Sequence, residues 1–320
     1  MSGEEATPVP GHGSVAVLIP CRNEAATVAA VVADFQRVLP DATVHVFDNA
    51  STDETAALAR AAGACVHPVA RPGKGNVVRK MFSDVEADRY VMVDGDATYD
   101  AAAAPQLLQR LDDGALDMVV GARTSDGGDD ERHRTGHRSG TRLFGWLYRH
   151  LFAIEFTDVF SGYRVFTRRF VKSFPASTSG FDVETELIVH AAELQVEVAE
   201  VPTRYRPRPG EESKLNTVGD GFHILRSALR LYRDTRPVRF FGGLAAAITV
   251  LVLVLAEPIF VTYLDTGLVP RFPTAIGLAA LEVIAVVLLA VGLVGDSLVR
   301  LRREQRRMVF LAVPRDRRAG

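Results

Sequence analysis

Tyr90-Val91-Met92-Val93-Asp94-Gly95-Asp96 is the stretch from which the fold can be read. Four apolar or aromatic residues run directly into Asp-Gly-Asp. The run predicts a buried strand with its carboxylates where the chain leaves the sheet. Two carboxylates one residue apart at the carboxyl end of a strand can share a hard divalent cation. In open α/β sheets that edge is where ligands bind. A polar turn after a strand has the same appearance, so the pair alone does not decide between turn and metal site. An EF-hand is excluded: Tyr99 stands where the sharp-turn glycine belongs, and Pro105 where the bidentate glutamate belongs.

Outward from this stretch, strand and helix signals alternate. Val15 to Ile19 predicts a first strand, followed by Pro20-Cys21-Arg22-Asn23-Glu24 and a helix with Val28, Val31, Val32, Phe35 and Val38 on its apolar face. Val44 to Phe47 predicts a second strand ending at Asp48-Asn49. Ser51-Thr52-Asp53-Glu54 has the spacing of a capping box, opening a helix that stops at Gly63. Ala64 to His67 predicts a third strand, and Arg71-Pro72-Gly73-Lys74-Gly75 a flexible basic loop before a helix near Asn76. Met118 to Val120 is a further strand, running into Gly121-Ala122-Arg123. The pattern is α/β with a mostly parallel sheet. The polar stretch 124–142 is too long for a plain connector, and reads either as a mobile loop over a site or as a solvated insertion. Leu143 to Phe152 predicts a helix, its Trp146 a packing or membrane-interface residue.

The formal charge of −2 argues against a nucleic-acid binder. Two cysteines, Cys21 and Cys65, make neither a disulfide framework nor a zinc pattern. Residues 1–13 are polar with no apolar core, and read as a disordered lead-in rather than a signal peptide.

The apolar content is concentrated after residue 239. Phe240 to Leu255 and Ile276 to Val294 approach the roughly 20 residues that cross a bilayer. Glu257 and Glu282 accompany them, and an intramembrane carboxylate usually faces a partner helix. Ahead of them, Phe222, Leu225, Leu229 and Tyr232 alternate at helical spacing with Arg226, Arg230 and Arg233, the pattern of a helix lying on a membrane surface. Arginines 300, 302, 303, 306 and 307 close the second span, while the short connection between spans has only Arg271. The positive-inside rule therefore puts both termini in the cytoplasm. The expected division is a lead-in at 1–13, an α/β domain at 14–216, an interfacial helix at 217–238, a two-span hairpin at 239–299 and a basic tail at 300–320. Packing of two spans per chain favours assembly into homo-oligomers.

No G-x-G-x-x-G follows the first strand, which argues against a dinucleotide oxidoreductase. Lys74 is followed by Gly75, so there is no phosphate-binding P-loop, and there is no G-x-S-x-G nucleophile turn. What remains is a set of charged residues at strand ends: Glu24, Asp48, Lys74, Asp94, Asp96 and Arg123.

Ile19-Pro20-Cys21-Arg22-Asn23-Glu24, Asp48-Asn49-Ala50-Ser51-Thr52-Asp53, Gly73-Lys74-Gly75 and Asp94-Gly95-Asp96 together resemble the ordered signature of inverting family-2 glycosyltransferases with a GT-A fold. Asp158-Val159-Phe160-Ser161-Gly162-Tyr163-Arg164, Gly180-Phe181-Asp182-Val183-Glu184 and Glu212-Ser213-Lys214-Leu215 resemble the polyprenyl-phosphate branch, typified by dolichol-phosphate mannose synthase. One departure is Asn49, where the family commonly has a second Asp. The resemblance implies that Pro20, Arg22, Glu24 and Asp48 line a nucleoside pocket, that Lys74 lies near the nucleotide, and that Asp94 and Asp96 hold Mg²⁺ or Mn²⁺ on a diphosphate. It implies a lipid-phosphate acceptor met by Arg123, Arg164, Arg208 and Lys214, with Arg138 and Ser139 of the long loop as further candidates. Asp158 orients the acceptor, acts as base, or makes a structural hydrogen bond. The implied activity is inverting transfer of one sugar from a nucleotide-sugar, UDP-linked by family frequency, to a membrane polyprenyl phosphate. Rival readings are a processive polysaccharide synthase and a membrane scaffold that binds nucleotide-sugars without turnover. The synthase is disfavoured because Trp146, the single tryptophan, follows Gly145 and not the Gln-x-x-Arg of that class.

Overall fold

A computed structural model of the chain describes residues 13–124, 157–176, 183–206, 229–230, 232–269 and 271–314. The chain divides into two compact units, residues 1–215 with 306–320, and residues 216–305.

In the first unit a seven-stranded sheet has the order β3-β2-β1-β4-β6-β5-β7. Its strands are β1 Val15–Cys21, β2 Thr43–Asp48, β3 Cys65–Pro68, β4 Arg89–Met92, β5 Met118–Thr124, β6 Arg164–Thr167 and β7 Val198–Arg204. β3, β2, β1 and β4 pair in parallel, as do β5 and β7; β6 is antiparallel to both neighbours. The mostly parallel sheet expected from the alternating pattern is present. Helices cover both faces, so the central strands are apolar on either side: Val17 and Leu18, adjacent on β1, are both fully buried. One face packs on α1 (Val28–Val38) through Val28, Val31, Val32 and Phe35, and on α4 (Ala104–Asp113) through Leu107, Leu108 and Leu111. On the other, Phe82 of α3 (Lys74–Asp84) packs against Phe166 and Tyr90.

The capping box is not formed. Helix α2 (Thr55–Ala61) has Glu54 at its N-cap with no side-chain cap bond, and Asp53 accepts from the Thr55 amide at 3.1 Å. Ser51 instead accepts from the Asn23 amide at 3.0 Å, and Thr52 donates to Asn23 at 2.8 Å. The motif ties the loop after β1 to the loop after β2. Helix α3 starts at Lys74 rather than near Asn76, because Gly73, at φ 117°, turns the chain directly into it.

The antiparallel β6 was not foreseen. Arg164 pairs level with Met92 of β4 and Val120 of β5, so the segment 157–163 enters at the edge where β1, β2 and β4 end. Two further helices, α5 (Arg168–Ser173) and α6 (Val183–Leu194), follow in this unit.

The second unit contains α7 (Pro237–Thr266) and most of α8 (Phe272–Ala312), both long and apolar enough to cross a membrane. Their apolar side chains are largely exposed, Val254 at 65% and Val294 at 62%, unlike those of a soluble core helix. Glu282 of α8 accepts from Thr249 of α7 at 3.0 Å, as expected for a carboxylate turned to a partner helix. Helix α8 continues through the arginines expected to form a tail. Its last turns belong to the first unit, where Arg306 pairs with Glu193 and the Arg169 guanidinium lies 4.5 Å over the Phe310 ring. Of the expected interfacial helix, residues 229–230 and 232–235 are helical, Arg236 breaks it and Pro237 already opens α7; residues 217–228 and 231 lie outside the described residues.

Candidate active site

Parallel strands deliver their carboxyl ends to one edge, and there the expected residues converge. The Asn49 amide donates to the Cys21 carbonyl, the Val69 amide to the Asp48 carbonyl, and the Val93 amide to the Leu18 carbonyl, so the loops after β1, β2, β3 and β4 leave side by side. Each of the loops after β1, β2 and β4 contains a non-glycine residue at positive φ: Asn23, Ala50 and Ala97. Such conformations cost about 1–2 kcal/mol and gather at functional sites.

A cavity of about 510 Å³ opens at this edge. Pro20, Arg22, Glu24, Lys74, Asp94, Asp96 and Arg123, all singled out from sequence, line it. Asp48 is not in the lining, but its Oδ1 is buried without a hydrogen-bond partner. A buried, unsatisfied carboxylate oxygen costs free energy and so marks a place for a donor.

Asp94 is held from two sides. Lys74 Nζ lies 2.5 Å from Asp94 Oδ1 and 2.5 Å from Glu184 Oε1. Burial disfavours the Lys74 ammonium, but Asp94 and Glu184 outweigh it and push the group well above the usual lysine range. Behind Asp94 stands Gly162, where a Cβ would fall 2.1 Å from Asp94 Oδ2, so any larger residue would displace the carboxylate. The Gly162 amide donates to the Tyr99 hydroxyl at 2.9 Å, which anchors the 158–163 segment against the carboxylate loop. Asp96 Oδ1 accepts from Thr98 Oγ1 at 2.6 Å, and Thr27 Oγ1 donates to the Gly95 carbonyl at 2.7 Å. Asp94 and Asp96 are thus fixed on a braced turn. Cys21, also in the wall, is an inert thiol: burial, then the surrounding carboxylates, raise its pKa far above the usual range.

No cluster of three or more metal-binding side chains exists among the described residues. Two carboxylates are nonetheless the protein share expected where Mg²⁺ or Mn²⁺ is completed by substrate phosphates and water, so the donor set fits such an ion.

Arg123 also lines the cavity. Its Nε and Nη2 each donate to one Asp158 oxygen at 2.7 Å, and its own amide donates to Asp158 at 3.0 Å. The guanidinium lies 5.3 Å over the Tyr205 ring. Burial alone would raise the Asp158 pKa; the Arg123 hydrogen bonds and charge outweigh it and hold the carboxyl below the usual range. Both oxygens are engaged and the group is a weak base, so the geometry favours Asp158 as the orienter of Arg123 over Asp158 as a general base.

Arg164 needs a correction. Expected to meet a lipid phosphate, it is 0% exposed, and its guanidinium donates to the carbonyls of Ser161, Glu184 and Val159 at 2.7–2.9 Å. Its motif position signals the loop it holds, not a ligand. Arg138, Ser139, Arg208 and Lys214 lie outside the described residues. Residues to which the sequence reading gave no role are Glu184, Tyr99, Gly162 and Tyr205. The first and third stand inside quoted motifs; Tyr99 and Tyr205 carry no sequence signal, because only the fold brings them together, with ring centroids 5.2 Å apart.

A model described as glycosyl transferase family 2 matches residues 16–174. Glycosyltransferase AglJ of Haloferax volcanii is 33% identical over 306 residues, covering 94% of this chain and 99% of that protein. A dolichyl-phosphate hexose transferase of the same organism is 28% identical over 222 residues, covering 69% and 95%. Among solved structures, glucosyl-3-phosphoglycerate synthase from Mycobacterium tuberculosis, crystallised with Mg²⁺ and uridine-diphosphate, superposes with a TM-score of 0.56 at 22% identity, over 69% of this chain and 79% of that one. The sheet with its braced Asp94-Gly95-Asp96 turn, and a relative matched from end to end, lead to one conclusion: the chain belongs to glycosyl transferase family 2 and is a GT-A-type glycosyltransferase.

Proposed function

We propose that the protein transfers one sugar from a nucleotide-diphosphate sugar, with uridine as the nucleoside, to the phosphate of a membrane polyprenol, inverting the anomeric centre. The observation that carries this reading is one cavity lined by paired carboxylates, Asp94 and Asp96, and by a guanidinium, Arg123. The carboxylates suit a cation-bound diphosphate, the guanidinium an anionic acceptor. The name of the dolichyl-phosphate hexose transferase relative and the two apolar helices support the lipid acceptor. When bound, Mg²⁺ or Mn²⁺ on Asp94 and Asp96 supplies Lewis-acid stabilisation of the charge that gathers on the departing diphosphate.

The chain's own residues do the rest. Asp48 Oδ1 accepts from the base or ribose. Lys74 holds Asp94 in place. Arg123, aimed by Asp158, holds the acceptor phosphate. A phosphate oxygen forms the new bond to the anomeric carbon while the bond to the diphosphate breaks on the opposite face. That oxygen is already ionised near neutral pH, so no strong base is needed, in keeping with the engagement of Asp158 by Arg123. The arginines closing α8 favour a cytoplasmic catalytic face and both termini on that side, with a reporter near Thr266 external.

A panel of nucleotide-sugars, offered with a short polyprenyl phosphate in detergent, tests the reading. The expected outcome is one lipid-linked product with an inverted anomeric centre, lost on chelation. Transfer that survives excess chelator, or a product made without the lipid phosphate, would sink it.

A further inference from the structure

Asn49 is the position at which the chain departs from the family's second Asp, and both polar atoms of its side chain are engaged. It is 4% exposed. Nδ2 donates to the Val69 carbonyl at 3.2 Å and to the Arg71 carbonyl at 2.7 Å; Oδ1 accepts from the Gly73 amide at 2.8 Å. No other orientation works, because the reverse would set an oxygen against two carbonyls. An aspartate fails for the same reason. The amide therefore pins three points of the 69–73 segment to the end of β2. Gly73, in a conformation that favours glycine, then starts α3, and the first residue of that helix is Lys74.

We propose that Asn49 is a positioning residue of the donor site: it fixes the 69–73 segment and so sets the Lys74 ammonium between Asp94 and Glu184. This rests on reading the cavity as a nucleotide-sugar site. Both Nδ2 hydrogens of Asn49 are taken by backbone carbonyls, so it has no side-chain donor left for a nucleoside, and its effect on the ligand passes through Lys74. The departure from Asp is then a device for building the loop.

The test is a double-mutant cycle on the full-length chain, read by calorimetric binding of uridine diphosphate with Mn²⁺ and no turnover. Asn49→Ser and Lys74→Met should each weaken binding about tenfold or more. The double variant should be within about twofold of Lys74→Met, because the two act as one unit. The ratio of uridine to guanosine diphosphate affinity should stay unchanged in Asn49→Ser. Where Asn49→Ser does not hold its fold, Gly73→Ala replaces it, since it strains the same segment at φ 117°. Where Lys74→Met does not, Lys74→Gln serves. Multiplying losses, or a changed base preference, overturn the inference and leave the donor site standing. Failure of the parent protein to bind either diphosphate overturns the donor site itself, and the inference with it.

Discussion

Two of the cations that line the cavity, Lys74 and Arg123, are held in opposite ways. The Lys74 side chain is 12% exposed and closed between Asp94 and Glu184, while Arg123 is 31% exposed and held by Asp158 on one edge and Tyr205 on one face. A lysine with two carboxylates about it balances charge; it has little to offer a ligand until one of them is drawn elsewhere. An arginine bound along one edge keeps part of its donor fork for an incoming anion. Two positive side chains lining one cavity therefore do not have one job, and burial with partner count separates them where sequence cannot.

Lys74→Met is the strongest way to break this contrast. It leaves Asp94 and Glu184 facing each other without a cation, and should destabilise the folded protein by about 3 kcal/mol, the low end for a broken buried pair because the site opens to solvent. Added Mn²⁺ should restore more of the melting temperature in this variant than in the parent. A variant as stable as the parent would mean that Lys74 does not balance charge. Asp96→Asn should lower turnover by about a hundredfold or more with little change in melting temperature, as for loss of an electrostatic stabiliser. Full turnover in a folded Asp96→Asn protein would refute the metal assignment. Arg123→Leu sharpens the other side. Use of the lipid phosphate should weaken about ten- to a hundredfold, the worth of a charge-assisted contact, while uridine diphosphate binding holds. If nucleotide affinity falls instead, Arg123 belongs with Lys74.

The smallest effect lies outside both cations, at the far strands of the sheet. His45 Nδ1 and His67 Nε2 are 3.0 Å apart. Burial and then the His67 charge lower the His45 pKa from 6.5 to about 4. Between those values the unfolded chain binds a proton that the folded chain refuses, so stability is lost as pH falls from 6.5 towards 4. The loss should be about 1–2 kcal/mol at pH 5. His45→Gln, which cannot charge, should flatten the melting temperature over that range; an unchanged slope would show that another group governs it.

The parallel strands β1 to β4 were legible because each is an apolar run ending in a polar signal at one edge, whereas β7, parallel to β5, was not read. Asp94, Asp96, Glu24 and Lys74 could be placed for that reason. The antiparallel β6 was not legible: Arg164-Val165-Phe166-Thr167 begins with a charge, and nothing local says that the charge is satisfied by three carbonyls. The same blindness put Arg164 among the acceptor ligands. The capping box failed because Ser51 finds a better partner in Asn23, 28 residues away in sequence, than in its own helix. Patterns with local causes survive folding; polar side chains with distant partners are read wrongly.

The enclosure of Arg164 bears on how a genetic screen of this protein would be interpreted. A strain with Arg164→Ala would lose the glycan product as surely as one with Asp96→Asn, and the two would score alike. Yet removing Arg164 strands three buried carbonyls, so the protein itself should be depleted from the cell, while the Asp96 variant accumulates to normal abundance. Immunoblotting each null strain would separate a position that performs the reaction from one without which no enzyme is left to perform it.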